Sequence, residues 1–565
     1  MSSPLKLKSE RVGKIALAED NPYLSVLVDT GVFHLNYEFE YIVPAKYDVQ
    51  PGNWVSVPFN GRNCLGLVVK RSADKNTAKI LPINRLAKGP QITMEHLALY
   101  KAVADRWCAP IFDVLRFVTK YRGNSGQISF ETGRGLRKYL QLPANKSEVD
   151  ALTEIGIATS KSGPTLMIVP EARLASLLQC EEFEVALRGG ILSPHRYTNV
   201  IVVREESEHH FEIKSPGFNT RDVALLRNEI LKENLLFVGY SPSIEMDRLI
   251  DVDFIQFAAA SARVKVLAKH SQQGELIPSS IIKTFRDYLA KGPILVIAPT
   301  KGYGTAISCA SCRNIAKCSC GGKLTKVSKA APPSCVICAK EYLEWRCNYC
   351  RKEKIYLLGR GIEKIAEDFG RTFPNVEIHI STAQKIIEGE IGKNAIVLST
   401  VGAAPNLTFA ATLILEGINL GADMRSEERY LSILFRYAAQ SKGNIMVVER
   451  DEHPAINSLI RWNSLPYLSK LLKELAEAGL PPSTRHALVK SEDSDRIYTG
   501  LISAQREGRI PVGTRIFNLD NGVISIFFSL KNAREVLAFL FEFQKRRSMS
   551  SKPLLKVRID PYLLG

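Results

Sequence analysis

Eight of the chain's eleven cysteines fall between Cys309 and Cys350, and their spacing limits what this part of the chain can fold into. They read Cys309-x-x-Cys312, Cys318-x-Cys320, Cys335-x-x-Cys338 and Cys347-x-x-Cys350. A close pair offers two thiolates from one tight turn. In a reducing compartment such pairs predict tetrahedral zinc sites rather than disulfides. Iron–sulfur clusters also take four cysteines, but short pairs separated by polar, Gly/Pro-bearing loops read as zinc-ribbon knuckles. Eight thiolates fill two four-cysteine sites, Zn2+ in each, and leave no position for water, so the sites are expected to be structural. Spacing alone leaves two pairings open: adjacent pairs share a metal, or the outer pairs hold one and the inner pairs the other. Cys318-x-Cys320 is one residue tighter than the rest and is the weak point of its site. Cys64, Cys108 and Cys180 stand alone among apolar residues and are expected to pack as small hydrophobes.

At 565 residues the chain has room for roughly three to five domains. Alternating apolar and polar positions over about 24–90, with turns at Gly31, Pro51-Gly52 and Gly61, predict a small β-barrel or sandwich. From Thr93 to about Leu140 the period becomes helical, as in a winged helix. Continuous apolar runs then alternate with helical segments: TLMIVP, NVIVVR, NLLFVGY, PILVIAP, KNAIVLST, ATLILEG and GNIMVVE. Such runs predict parallel strands buried on both faces, enough for two α/β lobes, with the cysteine ribbon interrupting the second. An α+β segment follows from about Pro466. The expected class is multidomain α/β, divided as a β domain (1–92), a winged-helix-like domain (93–154), lobe 1 (155–262), lobe 2 (263–465, with the zinc-binding insertion at 306–352) and a C-terminal α+β domain (466–565). The charge-free run Asn394–Leu415 approaches the length of a membrane span, but Gly402, Pro405 and Asn406 divide it into two strands around a turn. The N-terminal MSSPLKLKSERVGK lacks the apolar core of a secretory signal, so a cytoplasmic protein with no membrane partner is expected.

Lys+Arg outnumber Asp+Glu by 75 to 58, a net charge of +17 that points to an anionic partner. Two α/β lobes in a basic chain suggest a nucleic-acid motor. A motor needs a phosphate loop, G-x-x-x-x-G-K-[ST], whose amides and lysine hold the phosphates. No such sequence occurs. Ser160-Lys161-Ser162-Gly163 offers a Gly/Ser turn in the wrong order, and no strand ends in the Asp-Glu pair that holds magnesium.

Tyr37–Val43 (YEFEYIV) followed by VQPGNWVSVPF resembles the F-D-Y-x-x-P and PGxxVxVPF signature of the PriA family of bacterial primosomal replication-restart proteins. TLMIVPEARLASLL, Asn219-Thr220-Arg221-Asp222-Val223, Leu480–Leu488 and the closing KVRIDPYLLG resemble further segments of that family, so the likeness runs nearly the whole length. It is the degenerate form found in actinobacteria that the chain looks like. The resemblance implies two RecA-like helicase lobes and a domain that takes the 3′ end of a nascent strand, with Phe39, Glu40 and Tyr41 on the F-D-Y positions. It implies the nested pairing, one zinc on Cys309, Cys312, Cys347 and Cys350 and a second on Cys318, Cys320, Cys335 and Cys338.

The family's ATPase motifs are where the chain departs. Its D-E-x-H box aligns with Val203-Arg204-Glu205-Glu206-Ser207, placing arginine where a magnesium carboxylate belongs. S-A-T-P-S aligns with Gly239-Tyr240-Ser241-Pro242-Ser243, and G-R-A-G-R with Tyr437-Ala438-Ala439-Gln440-Ser441, without its arginines. The resemblance therefore implies a DNA-binding replication-restart protein with no catalytic residues of its own. It would recognise stalled or abandoned forks and single-stranded DNA, and work with other primosome proteins, single-strand binding protein and the machinery that reloads the replicative helicase. The alternative is an ATP-dependent 3′-to-5′ DNA helicase with a diverged nucleotide site, its turnover dependent on Lys161. A nucleoid-associated location goes with either.

From the residues alone, Phe39 and Tyr41 at i and i+2 of a strand are core positions. Trp107 and Phe112 beside Arg106 and Arg116 read as helix packing before a DNA-facing surface. Lys323, Lys326 and Lys329 and the pair His209-His210 read as solvated loops, and Lys545-Arg546-Arg547 as the cationic end of a helix. Residues 301–355 alone carry +8, so the basic excess sits on the ribbon and the flanking domains rather than on the motor-like lobes.

Overall fold

The computed structural model describes residues 16–74, 80–121, 133–260, 264–270, 275–299, 304–312, 314–319, 323–335, 338–416, 423–449, 453–519 and 522–563. The chain forms two compact units that do not follow its linear order. The first comprises 1–138, 156–237 and 473–565, the second 139–155 and 238–472.

The first unit opens with a six-stranded sheet in the order Leu81–Pro82, Glu38–Ile42, Tyr23–Val28, Arg62–Ser72, Trp54–Phe59, Arg85–Leu86. The segment 81–86 reaches both edges: the Ile83 amide donates to the Ile42 carbonyl at 3.0 Å and the Asn84 amide to the Ser56 carbonyl at 2.8 Å. That contact closes the sheet into a barrel around Leu24, Val26, Tyr41, Val55, Val57 and Val68. Two helices follow, Met94–Arg106 and Ile111–Lys120. Thr93 caps the first, its hydroxyl accepting from the His96 amide, and Cys108 turns the chain at φ 56° between them.

Still within this unit, strands Thr165–Ile168, Glu184–Ala186 and Asn199–Val203 run parallel. Thr165–Ile168 and Asn199–Val203 are buried on both faces, as the sequence predicts, while the edge strand Glu184–Ala186 is half-buried. Helix Thr220–Leu231 is capped by Asn219. The C-terminal segment runs strand Thr484–Lys490, helix Ser494–Arg506, strands Arg515–Leu519 and Val523–Ser529, helix Ala533–Met549, strand Lys556–Ile559. Its antiparallel strand order, 515–519, 523–529, 484–490, 556–559, is the split β-α-β-β-α-β of ferredoxin-like domains.

The second unit is built on a six-stranded parallel sheet ordered Val266–His270, Ile445–Glu449, Ala411–Ile414, Ile294–Ala298, Ala395–Thr400, Glu377–Ser381. Helices Ser279–Leu289 and Ile362–Thr372 supply Phe285 and Phe369 to its core. The run Asn394–Leu415 resolves into two of these strands, and among the described residues no helix is long and apolar enough to cross a membrane. Between Ala298 and Ile362 the cysteine insert leaves the sheet on an antiparallel stalk, Gly304–Cys309 against Ile355–Arg360.

Candidate functional site

The stalk brings together the first group of candidate metal ligands. Cys309 ends one stalk strand, and Cys347 and Cys350 precede the other, so pairing the strands brings the two ends of the insert together. Cys309, Cys312, Cys347 and Cys350 present sulfurs that all lie within 4.8 Å of one another. Cys309 Sγ is 3.4 Å from Cys350 Sγ, and Cys312 Sγ is 3.5 Å from Cys347 Sγ. Four thiolates about 2.3 Å from one ion stand at such separations, so this set fits a tetrahedral zinc.

The turns are alike. The amide of the first cysteine donates to a carbonyl five residues on in three of them: Cys309 to Asn314, Cys335 to Lys340 and Cys347 to Lys352, at 2.9 to 3.0 Å. Amides also reach the sulfurs, Ser311 N to Cys309 Sγ at 3.4 Å, and the Cys312 amide contributes most to holding the Cys309 thiol below its ordinary range. The amide and side chain of Asn314 bring Cys312 down to about 6. Both effects favour the thiolate that a metal requires.

A second cluster holds Cys318, Cys335 and Cys338, also within 4.8 Å, with Cys318 Sγ 3.6 Å from Cys338 Sγ. Cys320, expected as its fourth member, lies outside the described residues. The inner strands Leu324–Thr325 and Ser334–Cys335 pair beneath it, and Ile307, Leu324 and Trp345 form a small core between the clusters.

In the barrel, Phe39 and Tyr41 sit on the core side of strand Glu38–Ile42, opposite Val26 and Leu24. Tyr41 is buried. Its hydroxyl donates to the Pro58 carbonyl at 3.1 Å, and burial pushes its phenol up to about 12. Phe39 is half-buried between the Tyr37 and Phe59 rings, with centroids at 4.5 and 5.1 Å. Glu40 projects from the opposite face of the strand. An open cleft at the start of this strand is lined by Asn36, Tyr37, Glu38, Lys101, Asp105 and Ile111.

The motor-like parts are filled by protein. Arg204 is buried in a left-handed backbone turn, φ 50°, and its guanidinium forms a two-pronged ion pair with Glu171, one prong at 3.3 Å. Glu205 beside it pairs with Arg221 at 3.2 Å. Ser160–Gly163 precede strand Thr165–Ile168, at the N-terminal edge of the parallel strands, whereas ligands of open α/β sheets lie beyond the carboxyl ends. Lys161 is therefore not placed as a phosphate-loop lysine.

A better-placed pair escaped sequence reasoning. Lys146-Ser147 lead into helix Glu148–Ser160 after strand Arg137–Gln141, the strand–loop–helix order of a phosphate loop. The last loop glycine is replaced by Asn145, which keeps its left-handed φ of 63°. Ser147 Oγ is tied to Asn406 Oδ1 at 3.2 Å, and Lys146 is paired to Glu154. The signal was a Lys-Ser after a strand, hidden by the missing glycines. The Tyr437 hydroxyl accepts the Gly402 amide at 2.6 Å, and Ser441 Oγ donates toward the Gly443 and Asn444 carbonyls.

Trp107 and Phe112 are buried, while Arg106 pairs with Asp222 and Arg116 with Asp29 and Asp113. His209 is exposed, but His210 is not: its Nε2 lies 2.8 Å from the Val203 carbonyl, and burial lowers it to about 4. Cys108 is buried and Cys64 half-buried. Cys180 instead donates to the Glu182 carboxylate at 2.6 Å on the surface side.

Residues 25–119 match the family model described as the 3′DNA-binding domain of PriA. The chain is 25% identical to probable replication restart protein PriA of Mycobacterium tuberculosis and of Mycobacterium bovis, over 94% of this chain and 99% of each relative. To replication restart protein PriA of Haemophilus influenzae it is 22% identical over 54% of this chain and 47% of the relative. A solved structure of S. cerevisiae Dbp5 bound to RNA and ADP BeF3 aligns at a TM-score of 0.29 and 7% identity, covering 68% of this chain and 97% of that one, too loosely to carry weight.

Proposed function

We propose, from a likeness to replication restart protein PriA that runs nearly the length of the chain, that this protein binds DNA at stalled or abandoned replication forks. It reads the free 3′ end there and supports reloading of the replicative helicase without unwinding DNA itself. The observation that carries the reading is the 3′DNA-binding-domain match over 25–119, which falls on the barrel and its two following helices. Glu40 supplies the acceptor that a terminal hydroxyl needs, Phe39 a ring surface, and Tyr41 anchors the strand from inside.

The ATPase silence is supported by Arg204 on Glu171, by Lys146 on Glu154, and by a loop without glycine amides to cradle phosphates. The cysteine clusters take two Zn2+, the four-cysteine set one and the three-cysteine set with Cys320 the other. Bound metal would fasten the insert and reduce its basic charge. Domain limits at 92, 154, 262 and 465, primosome partners and a cytoplasmic, nucleoid-associated location complete the reading.

The test is binding to a fork with a free nascent 3′-hydroxyl, the same fork blocked by a 3′-phosphate, a linear duplex and a matched RNA, each across a salt series. Tightest binding to the free-ended fork, weakening with salt, is expected. Indifference to the 3′ end or to branching would overturn the reading. Robust fork-dependent ATP hydrolysis lost in Lys146→Ala would replace it by the helicase.

A further inference from the structure

Tyr342 stands across the insert from the tight knuckle that begins at Cys318. Its hydroxyl lies 3.1 Å from Cys318 Sγ and accepts the Ser319 amide at 3.3 Å. The amide occupies an oxygen lone pair, so the phenolic proton is directed to the sulfur, an O–H···S hydrogen bond. The ring is fixed from behind: the Tyr342 amide donates to the Pro333 carbonyl at 2.8 Å, and Glu341 bridges Ser334. Lys340 sits over the ring at 5.4 Å and draws electron density from it, which strengthens the donor.

In the outer turn, Cys309-x-x-Cys312, a backbone amide does this work, Ser311 N donating to Cys309 Sγ at 3.4 Å. At Cys318 a side-chain hydroxyl does it, and the Ser319 amide holds that hydroxyl in place.

We propose that Tyr342 is a positioning residue of the inner metal site, its hydroxyl supplying a hydrogen bond to Cys318 Sγ from across the insert. A hydrogen bond to the charged form favours the thiolate and fixes the direction of its lone pairs. This role rests on the reading of the inner cysteines as zinc ligands.

The test uses the full chain, loaded with zinc and challenged with 4-(2-pyridylazo)resorcinol, in the wild type, Tyr342→Phe and Cys318→Ser. Total zinc is measured by mass spectrometry and folding by circular dichroism. The wild type is expected to hold two equivalents. Tyr342→Phe keeps the ring and should release one equivalent about 10- to 100-fold faster, the other at the wild-type rate, because lost supporting hydrogen bonds cost that much metal affinity. Cys318→Ser, which lacks the inner site, should show only the slow equivalent and so identify the fast one. Two equivalents released from Tyr342→Phe at wild-type rates would overturn the tyrosine's role alone, as would parallel acceleration of both. A single equivalent in the wild type would remove the inner zinc reading and this role with it.

Discussion

Arg204 and Glu171 form a partly buried ion pair between the ends of two adjacent parallel strands, Asn199–Val203 and Thr165–Ile168, with one contact at 3.3 Å. The carboxyl ends of such strands are where an α/β lobe usually holds its ligand. Here a cation and its partner fill the position. Arg204→Ala should therefore destabilise the chain by about 2 kcal/mol, below the ~3–5 kcal/mol of a wholly buried pair, because the Glu171 side chain keeps 28% exposure. Urea unfolding measures this. The double substitution Arg204→Met, Glu171→Gln should recover much of the loss, since it leaves no lone charge behind.

Asp222 ties helix Thr220–Leu231 to helix Met94–Arg106, meeting Arg106 at 3.1 Å and Arg221 at 3.2 Å. Burial alone would raise its carboxyl, but the two arginines prevail and hold it well below the usual carboxylate range. A depressed folded pKa gives stability that is present above the unfolded value of about 4 and is lost as pH falls below it. Asp222→Asn should cost roughly 3 kcal/mol at pH 7, and the gap to the wild type should narrow steadily below pH 4. Unfolding curves between pH 7 and pH 3.5 test it; a constant gap would mean that the arginines do not control this carboxyl.

Much of this was legible beforehand, for identifiable reasons. Parallel strands buried on both faces leave unbroken runs such as TLMIVP and NVIVVR, and each became a strand. Cysteine pairs announce themselves by spacing because the turn that presents two thiolates is local. Tyr342 does not, since its hydroxyl reaches Cys318 across 24 residues and nothing near Tyr342 marks it. His210 looked solvated because a neighbour of identical type was; only the carbonyl of Val203, brought close by the fold, distinguishes them. Lys146-Ser147 stayed hidden because a phosphate loop is found by its glycines, and here an asparagine adopts the glycine conformation. The ferredoxin-like order at the C-terminus is a matter of long-range pairing, which periodicity cannot report.

Glu449 closes strand Ile445–Glu449, and its carboxyl is pushed up to about 7, first by burial and then by Glu416 and Glu427, against the opposing pull of His453. A raised folded pKa works the other way from Asp222. The proton stays on in the fold while the unfolded chain loses it above pH 4.5, so stability falls as pH rises from about 4.5 to 7 and then levels. Glu449→Gln should remove that slope and melt higher than the wild type above pH 7, by about 1 kcal/mol after allowing for partial solvent screening, with the two converging below pH 4.5. Thermal melts at pH 5 and pH 8 distinguish this from a uniform effect of the substitution.

Gly52 shows why the Pro51-Gly52 turn ahead of Trp54 tolerates no side chain. Its φ is +87°, and a Cβ there would lie 1.9 Å from the Ile92 carbonyl oxygen. The closeness is useful, because the Gly52 amide donates to Val68 at 2.8 Å while its carbonyl accepts the Ile92 amide at 3.1 Å, joining the barrel to the segment that enters helix Met94–Arg106. Gly52→Ala combines an unfavourable backbone conformation with a backbone clash that no rotamer relieves, so a loss above ~3 kcal/mol is expected. Gly31, at φ +70° with open space around it, isolates the conformational part: Gly31→Ala should cost about 1 kcal/mol. If the barrel presents the 3′ end, Gly52→Ala should weaken binding to free-ended forks while Gly31→Ala leaves it near the wild-type value. Equal losses in the two variants would show that the contact with Ile92 does not hold the barrel in place.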